Sequence, residues 1–580
     1  MSVGSLHSRG TAFLLVWAVE VAALAVIPVA AVFGLGISVV DQFGSADPAY
    51  YTGYGLSFER MWHAFGLTYY AARFPVIGLN AWSQTVSPGL SGYTMVRVLV
   101  FLMCAAPLYL LSRRLYGPLV AMAAYAFLVL NPLFPRVLCW DLTTFLSIPA
   151  ALGGIVLWYL SAGSWSPIVL LSGFLFGVSI NSHVFTATAI GVFLAVEAAF
   201  ALRRPGGIEW FACRLVTAGA GVLACVALGL LYYSSHVGYV APQQLWNITL
   251  VALRMGQQYV SVHFFPFSSY YAVNYEIYIP VFTTLLVVAL NGRRLLEDSI
   301  EARISGFAVA YLSMYLVAVF GLHMNIVQYF WYFGHLTIVV YLSVPVILGR
   351  FAERAGTSVA LVFVAGLLGV AVLVAQDFNA ARRMSIAASG SAPTVMAVCG
   401  AMLLCVLAVF WRRRLAYLVA VAAIAVVLQV PFLSATHLSL YDRVANRNEK
   451  PLFAAIQQFH ALMNRYEKPG QRLMLWYPSG FPALSPALLS LASSDLLYDL
   501  QDPFTPAAFP LFGAAEQKKL DDPSVRFLLL MGEDPATLDD GLRALDAVPV
   551  SYSILGEETW GYDPLIVHAR LVDLRPSTTR

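Results

Sequence analysis

The sequence predicts an α-helical polytopic membrane protein of about thirteen transmembrane helices, followed by a small C-terminal α/β domain outside the membrane. Three observations predict it. The 580 residues are 59% hydrophobic and 11% charged, whereas a soluble chain carries about a quarter charged residues. Apolar runs of bilayer-spanning length recur through the first three-quarters of the chain. All the lysines (Lys450, Lys468, Lys518 and Lys519) fall in the last quarter, so the composition changes near Thr436 and a soluble unit should begin there.

The apolar runs lie at about residues 11–40, 93–112, 116–134, 142–161, 166–181, 184–202, 211–234, 277–291, 305–321, 334–349, 358–375, 394–411 and 415–434. The first is too long for a signal-peptide core and reads as a retained anchor. The fifth and sixth are separated only by Asn181-Ser182-His183, which makes them a tight or partly re-entrant hairpin. Arginine clusters (Arg113–Arg114, Arg203–Arg204, Arg293–Arg294, Arg412–Arg413–Arg414) occupy nearly every second break. Short arginine-rich loops stay in the cytoplasm. Counting crossings from an inside N-terminus puts each cluster inside and leaves 41–92, 135–141, 182–183, 235–276, 322–333, 376–393 and everything after 435 outside. Arg382–Arg383 is the exception. The few lysines and the alanine- and valine-rich spans suggest a GC-rich bacterial source, so the expected place is the inner membrane, with the C-terminal domain in the periplasm.

In the outer segment 41–92, Asp41 ends the first span and Asp47-Pro48 reads as an N-cap followed by a first-turn proline. Tyr50, Tyr51, Tyr54, Phe58, Trp62 and Phe65 follow at roughly helical spacing, which predicts an aromatic amphipathic helix in the interface plane. The second outer loop, 235–276, carries Trp246, Arg254, Gln257, Gln258, His263 and several tyrosines, and reads as a lid over a cavity. After residue 435 the pattern predicts a helix over 452–467, strands over 472–476 and 525–531, a helix over 535–545, and strands over 550–555 and 565–574. No phosphate-binding glycine loop or nucleophile elbow is present there.

The chemistry-bearing groups gather on the outer side. Asp47 stands just beyond the first span. Asp141 opens the fourth span in a first turn that suits the helix dipole, with Arg136 nearby. His183 sits at the hairpin tip and His335 enters the tenth span. Arg73, Arg97 and Arg254 are the outer cations, and a guanidinium fork can grip a phosphate with two hydrogen bonds. Carboxylates and guanidinium groups on one face describe a site for acid–base chemistry on an anionic lipid head group. Inside the spans, Glu20 is expected to pair within the bundle and Glu197 to reach the cytoplasmic end. The net charge of +3 gives no reason to invoke nucleic acid, and the six cysteines show neither a disulfide framework nor a zinc spacing.

At these residues the chain resembles the GT-C superfamily of membrane glycosyltransferases, near the protein mannosyltransferase and aminoarabinose transferase group. The resemblance rests on Asp47-Pro48-x-Tyr50-Tyr51, then Tyr69-Tyr70-x-x-Arg73-Phe74-Pro75. It continues in Asp141-Leu142-Thr143-Thr144-Phe145, in Gly177 through His183, and in His335 through Pro345. It covers about residues 10–350. The resemblance implies transfer of a sugar from a polyprenyl-phosphate-type lipid donor to a lipid, glycan or protein acceptor at the outer face, with inversion. It implies Asp47 as general base and Asp141 as a second acid that holds the acceptor or the catalytic geometry. Arg73, Arg136, Arg254, His183 and His335 would bind the donor phosphate, and Tyr50, Tyr51 and His263 the acceptor. Two departures stand out: the family's Asp-Glu pair is Asp-Pro here, and its hairpin lysine is replaced by His183. No metal site or cofactor is assigned; a divalent cation is compatible with the acids, but nothing indicates one. The competing readings are a polysaccharide ligase or polymerase, a non-catalytic scaffold, and a lipid or sugar flippase, although the flippase should show inverted repeats that this sequence lacks.

Overall fold

In the computed structural model the described residues are 17, 18, 20–36, 46–139, 143–261, 277–322, 324, 334–389, 391–411, 413–430, 449–466, 471–476, 520–523, 525–562 and 565–575. The first helix, α1, runs Glu20–Gly34. Three short helices follow: α2 (Ala46–Leu56), α3 (Phe58–Phe65) and α4 (Phe74–Val86). The bundle continues with α5 (Leu90–Tyr116), α6 (Pro118–Leu130), α7 (Leu133–Cys139), α8 (Thr144–Leu160), α9 (Pro167–Ser182), α10 (Thr186–Ala201), α11 (Gly207–His236) and α12 (Pro242–Ser261). Then come α13 (Tyr278–Asn291), α14 (Ile300–Leu316), α15 (Thr337–Ala355), α16 (Ser358–Gln376), α17 (Phe378–Ser389), α18 (Ser391–Trp411) and α19 (Arg414–Gln429).

Five of the described helices are long and apolar enough to cross a membrane: Ser91–Tyr116, Gly207–His236, Ile300–Gly321, Gly334–Ala355 and Ser358–Gln376. Shorter apolar helices stand beside them, α6, α8, α9, α10, α13 and α19 among them. The span ending in α15 is 94% buried, which makes it the central post of the bundle. By contrast α11 presents many apolar side chains outward, including Leu223 and Leu231. Helix α9 is pressed between α8 and α11. Small residues allow that approach: a Cβ at Gly173 would collide with the carbonyl of Ala218, and one at Gly177 would come within 2.7 Å of the Cys225 Cβ. Glycines four residues apart bring two helix backbones together, as small residues do in membrane bundles generally.

The breaks at 113–117, 202–206, 292–299 and 350–357 share one end of the bundle, and a lattice of ion pairs ties them together. Arg113 reaches Glu20 of α1 at 2.7 Å, and Tyr109 donates to the same carboxylate. Arg303 of α14 spans Glu197 of α10 at 3.1 Å and Asp298 at 2.6 Å, and Arg204 also reaches Asp298. Arg350 donates to Glu353 at 2.8 Å and to the Asn291 side-chain Oδ1 at 2.8 Å. Glu20 is paired within the bundle as expected. Glu197 lies at the expected end but is covered there, 1% exposed. Arg303 comes in from the neighbouring helix to meet it, and the Trp158 indole donates to it at 3.0 Å.

The structure corrects the segment expected to be one interfacial aromatic helix. It is two helices broken at Ser57. Tyr51 and Tyr54 are buried, and Phe58 stacks against Tyr232, Tyr233 and His236 of α11. The aromatic stripe has protein to cover it, so it forms a small core of its own. Helix α2 starts at Ala46, so Asp47 lies in its first turn instead of capping it, and Pro48 occupies a turn whose N–H groups have no helical acceptor.

After residue 430 the described chain resumes with α20 (Glu449–Tyr466), β1 (Arg472–Trp476), β2 (Val525–Gly532), α21 (Pro535–Asp546), β3 (Ser553–Tyr562) and β4 (Leu565–Asp573). The sheet order is β1-β2-β4-β3, with β1 and β2 parallel and the other pairings antiparallel. β3 runs past the expected 550–555 because its polar half, Glu557 to Tyr562, pairs along the whole of β4. Cross-strand contacts hold it there: Arg570 of β4 reaches Glu557 at 2.5 Å.

Removing one partner of a buried ion pair leaves the other charge uncompensated, at a cost of about 3–5 kcal/mol. Glu197→Ala should therefore lower stability by about that amount, read as earlier unfolding of the detergent-solubilised protein. Glu353→Ala, whose carboxylate is half exposed, should barely shift the transition.

Candidate functional site

The end opposite the arginine lattice gathers side chains from four distant stretches of chain. Arg73 is the N-cap of α4, which starts on Phe74 with Pro75 in its first turn, and is 5% exposed. Its Nη1 donates to the carbonyl oxygen of Ser182 at 2.9 Å. Ser182 is the last residue of α9, whose terminal carbonyls carry partial negative charge and attract a cation. The guanidinium also lies 3.9 Å from the ring centre of Tyr69 and 5.7 Å from that of Tyr51. Supporting bonds hold the stretch in place: Tyr54 Oη shares a proton with Thr68 Oγ1 at 3.0 Å, and Tyr233 of α11 donates to the Ala71 carbonyl at 2.7 Å.

His183 caps the same helix end, its N–H bonded to the Ser179 carbonyl at 2.9 Å. Its Nδ1 accepts from the Phe185 N–H at 3.3 Å, which assigns the proton of the neutral ring to Nε2. Thr186, at the start of α10, donates to the His183 carbonyl at 2.6 Å, and Ser179 donates to Ser147 of α8 at 2.7 Å. His335 lies in the one-turn helix Gly334–Leu336 that leads into α15, fully buried. The two imidazole centres are 5.0 Å apart, and Phe185 meets His335 edge-on at 5.1 Å. Burial first, then Arg73, then His335 hold the His183 pKa well below its ordinary value, so the ring is neutral.

The structure thus brings together Tyr51, Arg73, His183 and His335 of the expected site residues. Position 47 lies one helical turn before Tyr51, on the same side of α2, and α2 packs on α4 directly beyond Arg73. Nothing is described of the side chains of Asp47 and Tyr50 in α2 or of Arg136 in α7. Asp141 and His263 lie outside the described residues. Arg254 is exposed on α12 and makes no contact with Arg73, His183 or His335 among the described residues, so it stands apart from this group. No cluster of three His, Cys, Asp or Glu side chains suited to a metal ion occurs among the described residues.

Other residues shape this end that the sequence did not single out. Asn80 of α4 is completely buried directly beneath Gly55 of α2, with neither amide atom bonded among the described residues. Ser57, at the break between α2 and α3, donates to Asn464 Oδ1 at 3.2 Å and meets His460 Nδ1 at 3.2 Å. Both partners belong to α20. The same helix sends Gln457 to Gln84 at 3.3 Å, and Gln84 clasps both backbone groups of Gly89, whose φ of +88° calls for glycine. The other face of α20 packs Phe459 on Trp560 of β3. Helix α20 therefore bridges the C-terminal sheet to the helices that carry the site. No sequence signal marks a contact between residues 407 apart.

No family model and no curated protein matches the chain. Among solved structures, it is similar to ArnT from Cupriavidus metallidurans in the apo state, at 14% identity over 94% of this chain and 97% of that one, with a TM-score of 0.45. It is similar to the same protein bound to undecaprenyl phosphate at 14% identity over 95% and 98%, with a TM-score of 0.44. It is also similar to the Archaeoglobus fulgidus oligosaccharyltransferase tethered to an acceptor peptide, at 13% identity over 95% of this chain and 74% of that one, with a TM-score of 0.41.

Proposed function

We propose that this chain is a membrane glycosyltransferase that moves a sugar from a polyprenyl-phosphate-type lipid donor to an acceptor at the extracytoplasmic face, with inversion. The observation that carries the reading is the convergence of Arg73, His183 and His335 at the end of the bundle opposite the arginine lattice. A permanent cation beside two imidazoles suits a phosphate that must leave as an anion. We take all the apolar helices as crossings, thirteen with an inside N-terminus. The arginine lattice is then cytoplasmic by the positive-inside rule, and the site and the C-terminal domain are extracytoplasmic, in the periplasm of a bacterial inner membrane.

In this reading the donor phosphate rests against Arg73, which already spends one N–H on Ser182 and keeps its remaining fork for the phosphate oxygens. The acceptor oxygen attacks the anomeric carbon as the bond from that carbon to the phosphate oxygen breaks. The bonding pair leaves with the phosphate, and the acceptor proton passes to Asp47. As the base in the first turn of α2, Asp47 stands on the side of that helix that Tyr51 turns toward Arg73. Asp141 supports the acceptor geometry, and Arg136, with His263 and Tyr50, extends the two binding subsites.

Two outcomes test the proposal. A positioned base contributes roughly 10²–10⁴-fold, so Asp47→Asn should lower transfer by about that factor in membranes supplied with lipid-linked sugar, with unchanged expression and donor binding. Wild-type transfer by that variant would remove Asp47 from the role. The second concerns pH. His183 is neutral at rest, and a phosphate anion beside it raises its pKa, so binding takes up a proton and affinity rises as pH falls. Polyprenyl phosphate affinity should strengthen from pH 8 to pH 6, by at most about tenfold per unit for a single proton. His183→Gln should flatten that slope.

A further inference from the structure

Asn80 is out of place on α4. The inward face of that helix is Pro75, Val76, Ile77, Asn80 and Ser83, a helical spacing at which an apolar residue would serve better than an amide. Asn80 is completely buried, and neither its Oδ1 nor its Nδ2 has a hydrogen-bond partner among the described residues. A buried amide left unbonded at both ends is rare and costly. The neighbouring group is served: Ser83 Oγ donates to the backbone carbonyl of Asn80 at 2.7 Å. Contact with the helix above is close, since a Cβ at Gly55 would come within 3.0 Å of the Asn80 Cβ.

The helix above is α2, which carries Asp47 and Tyr51 and packs on α4. Its two ends are held differently. At Ser57 the chain leaves helical geometry (φ −150°, ψ 56°). The Ser57 N–H closes on the Gly53 carbonyl at 2.8 Å, and its hydroxyl donates to Asn464 of α20 at 3.2 Å. That end is pinned. At the other end the Tyr51 ring meets Tyr70 edge-on at 5.4 Å and the Arg73 guanidinium at 5.7 Å. A phosphate on Arg73 competes for the same guanidinium, so anion binding acts directly on one hold of α2. Gly53 and Gly55 stand in the last turn of the helix, and glycine resists a change of backbone angle least. A helix end also presents carbonyls with no intrahelical donor, the kind of acceptor that an amide N–H beneath it lacks.

We propose that α2 has two seats on α4 and that Asn80 is the positioning residue that selects between them. In the resting seat, the one observed, the Asn80 amide is unbonded. Donor phosphate on Arg73 loosens the Tyr51 end, α2 swings slightly about Ser57, and Asn80 Nδ2 donates to a carbonyl in the last turn of α2. That second seat brings Asp47 to the acceptor oxygen. The proposal rests on the donor reading of Arg73, His183 and His335.

It is tested with the full chain in lipid nanodiscs, by measuring Tm and the affinity for polyprenyl phosphate. Asn80→Leu keeps the size and branching of the side chain and removes the amide. It relieves the resting seat and deprives the loaded one, so Tm should rise while affinity falls about tenfold. Gly55→Ala crowds the resting seat and should act with the opposite sign, lowering Tm and tightening binding several-fold. Raised Tm with unchanged affinity in Asn80→Leu overturns the proposal, because the amide is then only a packing defect. Lowered Tm in that variant, once folded, also overturns it, because the amide is then bonded at rest. If Asn80→Leu does not fold, Gly55→Ala decides, and binding no tighter than wild type overturns the proposal. Wild-type protein that binds no polyprenyl phosphate would instead overturn the donor reading, a result distinct from all of these.

Discussion

The hydrogen bond from Arg73 to the Ser182 carbonyl joins residues 109 apart and fixes what the opposite end of the bundle can do. Arg73 has no described carboxylate partner; a helix C-terminus and two tyrosine rings hold it. A carboxylate would neutralise the guanidinium, whereas a carbonyl dipole and aromatic faces orient it and leave it cationic. The same contact binds the stretch before α4 to the turn that carries His183, so a cation from one loop and an imidazole from another share one place. With α9 locked against α11 at Gly173 and Gly177, that place is stiff before any ligand arrives.

The two ends of the bundle treat charge in opposite ways. At one end Arg113, Arg303 and Arg350 each meet carboxylates on other elements, and every such pair ties helices together. At the other end Arg73 rests, among the described residues, on a carbonyl and two rings, and the imidazoles lie against each other. Paired charges stabilise and are chemically quiet. Cations without an acid partner attract anions. The structural role and the proposed chemical role are separated along the membrane normal, which lets the loops at one end vary without disturbing the lattice at the other.

Much of the architecture was legible because a bilayer imposes long apolar runs. The expected run at 358–375 and the observed helix Ser358–Gln376 differ by a single residue. Arginine placement made the two ends distinguishable in advance, and Glu20 was readable as a paired acid. The aromatic segment after Asp47 was misread because the same spacing serves an interface and a small core; only the presence of Tyr232 and Tyr233 on α11 decides between them. The proximity of His183 and His335 has no trace in the sequence, since it depends on how α9 and α15 pack around α8. Ser57 was invisible for the same reason. Its partners Asn464 and His460 lie beyond the whole bundle in sequence, and a serine at a helix break is unremarkable until they are found.

Helices α9 and α10 have a consequence for the surrounding lipid. Each has 16 residues, which at helical rise covers about 24 Å, short of the roughly 30 Å of a typical hydrocarbon core. Leu170 and Leu171 of α9 face outward, so the mismatch falls on the lipid and not on a neighbouring helix. A bilayer that meets helices this short thins to match them, and on α9 the outward-facing leucines lie near its start, away from the Ser182–His183 turn.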